Sequence, residues 1–182
     1  GIVIMSWSAM LIQALLEDPT LNIRQLCANI LVSLWGIRLS LYLKKRNFWE
    51  HGDPRYESII KDIKANWTFQ TYKKIFLFQG LFQLIVIAPI LSLNFLPGPI
   101  GINVLDFVGL IVFLGGFFIE NKADQALSKF RLSPENKSKA LKKGLWARCR
   151  HPNYLGDIIQ WWGLFLIACS ATGGLWSFYG PL

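Results

Sequence analysis

Four stretches of the chain stay apolar for about the thickness of a bilayer, and none shows the period-two alternation of a half-buried strand. They are residues 21–43, 75–96, 100–120 and the run from 154 onward, with a shortened fifth over residues 1–16. Only helices or closed barrels satisfy every backbone polar group inside lipid, and a spanning helix needs about 20 mostly apolar residues. The pattern predicts an all-α fold, a multi-pass transmembrane helical bundle of about four to five spans that forms a single membrane domain over residues 1–182. Pro89 inside the second run predicts a kinked helix, because proline removes one backbone donor and clashes with the preceding turn. Residues 66–74 read as an interfacial approach, with Trp67 and Tyr72 at headgroup depth.

Composition supports this reading, since 53% of the residues are hydrophobic and only 16% charged, apolar even for a well-packed soluble domain. The net charge of +8 raises the question of a nucleic-acid partner. Its distribution argues against one, because 17 of the 19 Lys and Arg fall within residues 44–74 and 121–150, and only Arg24 and Arg38 lie outside. Alternate connections are thus basic, while the link "PGPIG" is uncharged and the first connection carries Glu17 and Asp18. This is a positive-inside pattern. It makes 44–74 and 121–153 cytoplasmic loops of an integral, multi-pass membrane protein facing anionic headgroups. The host membrane is expected to be the endoplasmic reticulum in a eukaryote or the inner membrane in a bacterium.

No basic region and small-residue cleavage site precede the first apolar stretch, so no signal peptide is read. The glycine at position 1 suggests a fragment or a processed form. Cys27, Cys149 and Cys169 are odd in number and lack paired metal spacing, which indicates buried or inert thiols and no metal site.

Ionisable groups inside spans are costly and tend to face the bundle interior. Arg38 lies near the basic end of its span, where snorkelling to headgroups competes with an interior role. Asp106 sits near the opposite end of its span and reads as solvated. Glu120, Asp124 and Arg131 fall within roughly 40° of one helical face if the third span continues past the bilayer. A solvated helical extension is the plain alternative for that face.

The stretch "RCRHPNYLGD", residues 148–157 with Arg148 before Cys149, concentrates donors where the last span begins. Pro152 disfavours helix at His151, and Asn153 is among the best capping residues, so a helix is expected from Tyr154. Its first amides and dipole make an anion site, ringed by Arg148, Arg150 and His151, and guanidinium groups suit phosphate. The competing view is a capped helix end beside lipid phosphates. Asp157 lies one turn beyond Asn153, and Gly156 leaves room for a close approach to the backbone. A phosphate-sized site backed by hydrogen-bonding side chains fits a nucleotide cofactor. Rossmann and P-loop fingerprints are absent, since Gly115-Gly116 and Gly173-Gly174 follow no strand pattern.

"GLWARCRHPNYLGD", residues 144–157, resembles the GLW-x-x-x-RHPNY-x-G-[E/D] signature of membrane reductases related to steroid 5-alpha-reductase and the sterol C14 and C7 reductases. "LWGIRLSLYLKKRN", "GDPRY", "IFLFQGLFQLIVIAPI" and "ENKADQALSKFR" resemble, in order, landmarks of the poorly characterised steroid-5-alpha-reductase-like branch, across nearly the whole chain. The chain departs from the branch at Asp157, where glutamate is usual, and at Gly52, where an acid is usual. The resemblance also implies a chain that begins about two helices late and stops at "FYGPL" before a final helix and tail.

What the resemblance implies is an NADPH-dependent reductase that saturates an activated carbon–carbon double bond of a hydrophobic lipid or steroid-like substrate. It holds its cofactor with Asp124, Arg131, Asn153 and Asp157, residues the physical reading had already selected. The expected site therefore comprises Glu120, Asp124, Arg131, Arg148, Arg150, His151 and Asn153 for the cofactor, with Tyr154 and Asp157 as catalytic candidates. Tyr154 offers a hydroxyl for proton donation or serves as an aromatic-belt residue. Two alternatives stand beside this. Isoprenylcysteine-type membrane methyltransferases carry a similar Arg-His-Pro-x-Tyr-x-Gly element and use S-adenosylmethionine, and a non-catalytic lipid-interacting protein would need the basic loops alone.

Overall fold

The computed structural model describes residues 1–16, 22–49, 77–96, 98, 101–136, 139–171 and 173–181, with the side chains of 46–49 excepted. The basic stretch beyond residue 49 and the expected interfacial segment 66–74, with Trp67 and Tyr72, lie outside the described residues.

Among the described residues all regular structure is helical. The helices are α1 (Ile2–Leu16), α2 (Ile23–Trp49), α3 (Phe78–Val86), α4 (Ala88–Phe95), α5 (Val104–Leu132), α6 (Leu145–Arg148) and α7 (Pro152–Ala168). Short 3-10 turns follow at Pro134–Asn136 and Gly174–Tyr179. Ile23–Lys45 and Val104–Leu132 are long and apolar enough to cross a membrane, and α3 with α4 makes a third candidate if that bent pair is one span. The described helices thus offer two or three candidate spans where the hydropathy pattern predicts four to five, because α1 has 15 residues and α7 has 17. Ile4, Phe118, Leu41 and Ile111 are all more than 60% exposed along the outside of the bundle. An apolar exterior of this kind fits lipid rather than water.

The break between α3 and α4 falls at Ile87 and bends the chain by 58°. Pro89 sits in the first turn of α4, where its missing N–H costs nothing, so the kink expected at the proline appears two residues earlier.

The closest helix pair is α5 with α7. Gly109 and Gly116 on one face Gly163 and Gly156 on the other, so the two run antiparallel with backbones nearly in contact. A methyl added at Gly156 would meet the Glu120 amide nitrogen at 2.5 Å, and one at Gly163 the Gly109 carbonyl at 2.6 Å. Lipid supplies no hydrophobic drive between helices, and small residues that allow such approach are the usual means of association. The space beside Gly156, expected from the sequence to admit a close approach by a ligand, is filled by α5.

Helix α2 lies across this pair, running parallel to α5. Ala28, Leu31, Val32 and Trp35 of α2 join Ile87, Ile90, Phe113, Trp161 and Leu164 in the core. A polar seam docks α1 and α4 on α2. In it Trp7 donates to Ser33 Oγ at 2.8 Å, Gln25 to the Leu93 carbonyl at 3.0 Å, and Asn94 to the Ser6 carbonyl at 3.4 Å. The three cysteines are unpaired, and of the expected buried or inert thiols Cys27 is exposed on α2 while Cys149 and Cys169 are partly buried.

Candidate functional site

Helix α5 does not stop at the apolar boundary near residue 120 but runs on to Leu132, so the first part of the basic stretch 121–153 is helical. That extension carries Glu120, Asp124 and Arg131 on the shared face their spacing predicts. The face meets Arg38 of α2 and the start of α7.

Arg38 is the centre of the polar cluster, and its side chain is only 12% exposed. Its Nη1 donates to Asp124 Oδ2 at 2.8 Å and its Nη2 to Glu120 Oε1. Gln160 Nε2 donates to the other Glu120 oxygen at 2.7 Å. The snorkelling alternative for Arg38 fails because two carboxylates on α5 hold it inside. Sequence position gave no hint of this, since the partners lie 82 and 86 residues away. A second residue of α2 was missed altogether: Trp35 donates its indole N–H to Asp157 Oδ1 at 2.9 Å. A tryptophan in an apolar run reads as core or belt, and only its partner discloses the polar role.

Beside this cluster lies a cavity of about 470 Å³, within the range of about 300–1,000 Å³ typical of small-molecule sites. Seven of the nine expected site residues line it: Glu120, Asp124 and Arg131 from α5, and His151, Asn153, Tyr154 and Asp157 from the start of α7. Trp146 adds a wall from the strap before α7. Arg148 and Arg150 are exposed and absent from the lining. The reason is the strap's geometry. Gly144, at φ 60°, opens the short helix α6, and Trp146 donates to the Ala123 carbonyl at 3.1 Å, so the indole rather than the arginines faces inward. A second cavity of similar size adjoins the first, sharing Tyr42, Asp124 and Arg131 and adding Lys45 and Lys129.

The start of α7 differs from the expected one. The helix begins at Pro152, His151 is the residue before it, and no side chain caps the end. Proline's fixed φ suits the first helical position, which moves Asn153 into the first turn instead of the cap. Freed from capping, Asn153 leaves its Oδ1 buried and without a hydrogen-bond partner among the described residues. Asp124 Oδ1, Arg38 Nε and Gln160 Oε1 are in the same state. Buried polar atoms are nearly always paired, and a cluster of exceptions beside a cavity is what a site for a hydrogen-bonding ligand requires.

At the cavity mouth the His151 ring stacks on Tyr154, centroids 5.3 Å apart and planes 9° from parallel. Tyr154 is 58% exposed there. Asp106, read from sequence as solvated, lies at the far end of α5 and pairs with the buried Arg24 at 2.7 Å.

No solved structure matches the chain. A family model described as "Protein of unknown function (DUF1295)" matches residues 1–182, and the chain belongs to that family.

Proposed function

We propose that the chain is a membrane-embedded NADPH-dependent reductase acting on an activated carbon–carbon double bond of a hydrophobic, steroid-like lipid. The DUF1295 family is associated with steroid 5-alpha-reductase-like proteins, in keeping with the resemblance of residues 144–157. The observation that carries the reading is the pair of buried, unpartnered oxygens, Asp124 Oδ1 and Asn153 Oδ1, on residues of one cavity wall. They suit the hydroxyl and amide donors of a nucleotide, and Arg131 and His151 on the same cavity suit its phosphates.

When bound, the cofactor supplies a hydride. The chain's own residues would hold it. Asp124, fixed through its other oxygen by Arg38, accepts from a ribose or carboxamide donor, and Asn153 does the same from α7. Asp157, anchored by Trp35, lines the same cavity and would face the inner part of the ligand. The stacked, half-exposed position of Tyr154 favours a role at the mouth over proton donation in a dry interior. The lipid-facing exterior gives an apolar substrate a route from the bilayer, and the basic ends of α2 and α5 are assigned to the cytoplasmic side.

The test is titration of the chain in lipid nanodiscs with NADPH and, in parallel, S-adenosylmethionine. Saturable NADPH binding, weakened at least about tenfold by Asp157→Ala, is the expected result, a loss of about 1.4 kcal/mol. Binding of S-adenosylmethionine alone would reassign the site to methyl transfer, and binding of neither would leave a lipid-interacting protein.

A further inference from the structure

We infer that Trp35 is a positioning residue of this site, which sets the reach of Asp157 toward the bound nucleotide from a helix outside the signature segment. The inference rests on the function proposed above and adds to it a residue that lies within the landmark "LWGIRLSLYLKKRN" but to which neither the resemblance nor periodicity gives a role.

Three observations converge on it. Trp35 donates to Asp157 Oδ1 at 2.9 Å while itself buried, so the carboxylate is held from α2 as well as by the Trp161 indole of its own helix, and Asp157 lines the cavity. The donor is held in place as well. The Trp35 ring stands edge-to-face on Trp161, centroids 5.4 Å apart, and Trp161 is one turn beyond Asp157 on the same helix. Two consecutive turns of α7 thus grip one indole, one through a hydrogen bond and one through a ring. Finally, Trp35 lies three residues before Arg38 on α2, which places both on neighbouring parts of one face. That face fixes Asp157 through Trp35, and Glu120 and Asp124 through Arg38.

A short carboxylate at position 157 has fewer rotatable bonds than a glutamate and less reach, so its aim depends on what holds it. A hydrogen bond from a buried, ring-braced donor is a strong constraint on that aim. Without the Trp35 N–H, Asp157 keeps only the Trp161 indole of its own helix, so the carboxylate can turn toward Arg38 and the ligand loses an acceptor oriented from α2.

The experiment compares five forms of the chain in nanodiscs: wild type, Trp35→Phe, Trp35→His, Asp157→Ala and the Trp35→Phe/Asp157→Ala double variant. Each is titrated with NADPH and followed by thermal unfolding. Trp35→Phe keeps an aromatic ring against Trp161 and removes the donor together with the five-membered ring that carries it, and thermal unfolding reads the packing cost of that smaller ring. The expected result is a roughly five- to tenfold rise in Kd for NADPH in the wild-type background and no further rise in the Asp157→Ala background, the signature of a residue acting through its partner. Trp35→His, which retains a ring N–H, should recover part of the affinity. An unchanged Kd, or an equal loss in both backgrounds, overturns the inference while leaving the reductase reading intact. A Trp35→Phe chain that no longer folds also overturns it, because the residue is then structural. A wild-type chain that binds no NADPH contradicts the proposed function and this inference with it.

Discussion

Helices α2 and α5 are joined at two levels by a largely buried arginine and its carboxylates, and the two junctions are unlike. Arg24 meets Asp106 at one end and Arg38 meets Glu120 and Asp124 at the other, 14 residues further along each helix, or about 21 Å at 1.5 Å per residue. At the first junction Arg24 donates to both Asp106 oxygens, at 2.7 and 2.9 Å, and to the Gly101 carbonyl. Asp106 also accepts from the Asn103 amide at 2.7 Å and closes the capping box that starts α5. Ser170, just past the end of α7, donates to the Asn103 side chain at 3.1 Å. At the second junction Arg38 Nε, Asp124 Oδ1, Asn153 Oδ1 and Gln160 Oε1 have no partner among the described residues, and a cavity lies alongside. A satisfied polar network inside a bundle specifies how helices meet, whereas a partly satisfied one bears a cost that a ligand removes.

The sharpest break in this comparison is Arg24→Ala. It leaves the partly buried Asp106 with only the Asn103 amide and Ser170 as donors and should cost about 3 kcal/mol in stability while leaving NADPH affinity per folded molecule unchanged. Denaturant titration and ligand titration of the same preparation check both halves. Gly156→Ala comes next. A methyl 2.5 Å from the Glu120 amide forces α5 and α7 apart, with an expected cost of about 1–3 kcal/mol and a weakened site, since the cavity shares those two helices. A variant that melts with wild type would contradict the close packing.

Asn153→Ala separates ligand binding from stability. Removing a buried acceptor that lacks a partner should leave the unliganded chain as stable as wild type, or up to about 1 kcal/mol more so, yet weaken NADPH binding about five- to tenfold. The smallest expected effect belongs to Arg148→Ala and Arg150→Ala. Both side chains are exposed and off the cavity lining, so each should change affinity by less than about fivefold, an effect that fades with added salt.

Much of this arrangement was legible in the sequence. Hydropathy located α2, α5 and α7, and the four- and seven-residue spacing of Glu120, Asp124 and Arg131 placed them on one face before any helix was seen. The sequence puts the entry of α7 two residues too late, because Asn153 suits a cap and Pro152 disfavours helix before it, yet proline is also a favoured first residue. The arginine ring around that entry did not survive because the strap's path is set by Trp146 and a long-range hydrogen bond to Ala123. The partners of Arg38 and the role of Trp35 were not legible for the same reason. Their partners lie 82 to 122 residues away, and periodicity within a helix cannot report which carboxylate faces it from another. Gly156 shows the converse error: a small residue marks a close approach, but not what approaches.

The most direct test of the central claim is thermal unfolding of Arg24→Ala and Asn153→Ala in nanodiscs, with and without saturating NADPH. The account predicts that Arg24→Ala melts lower than wild type and keeps its NADPH-induced rise, whereas Asn153→Ala melts with wild type and loses most of that rise. The opposite assignment, with Asn153→Ala unstable and fully responsive or Arg24→Ala stable and unresponsive, would contradict it.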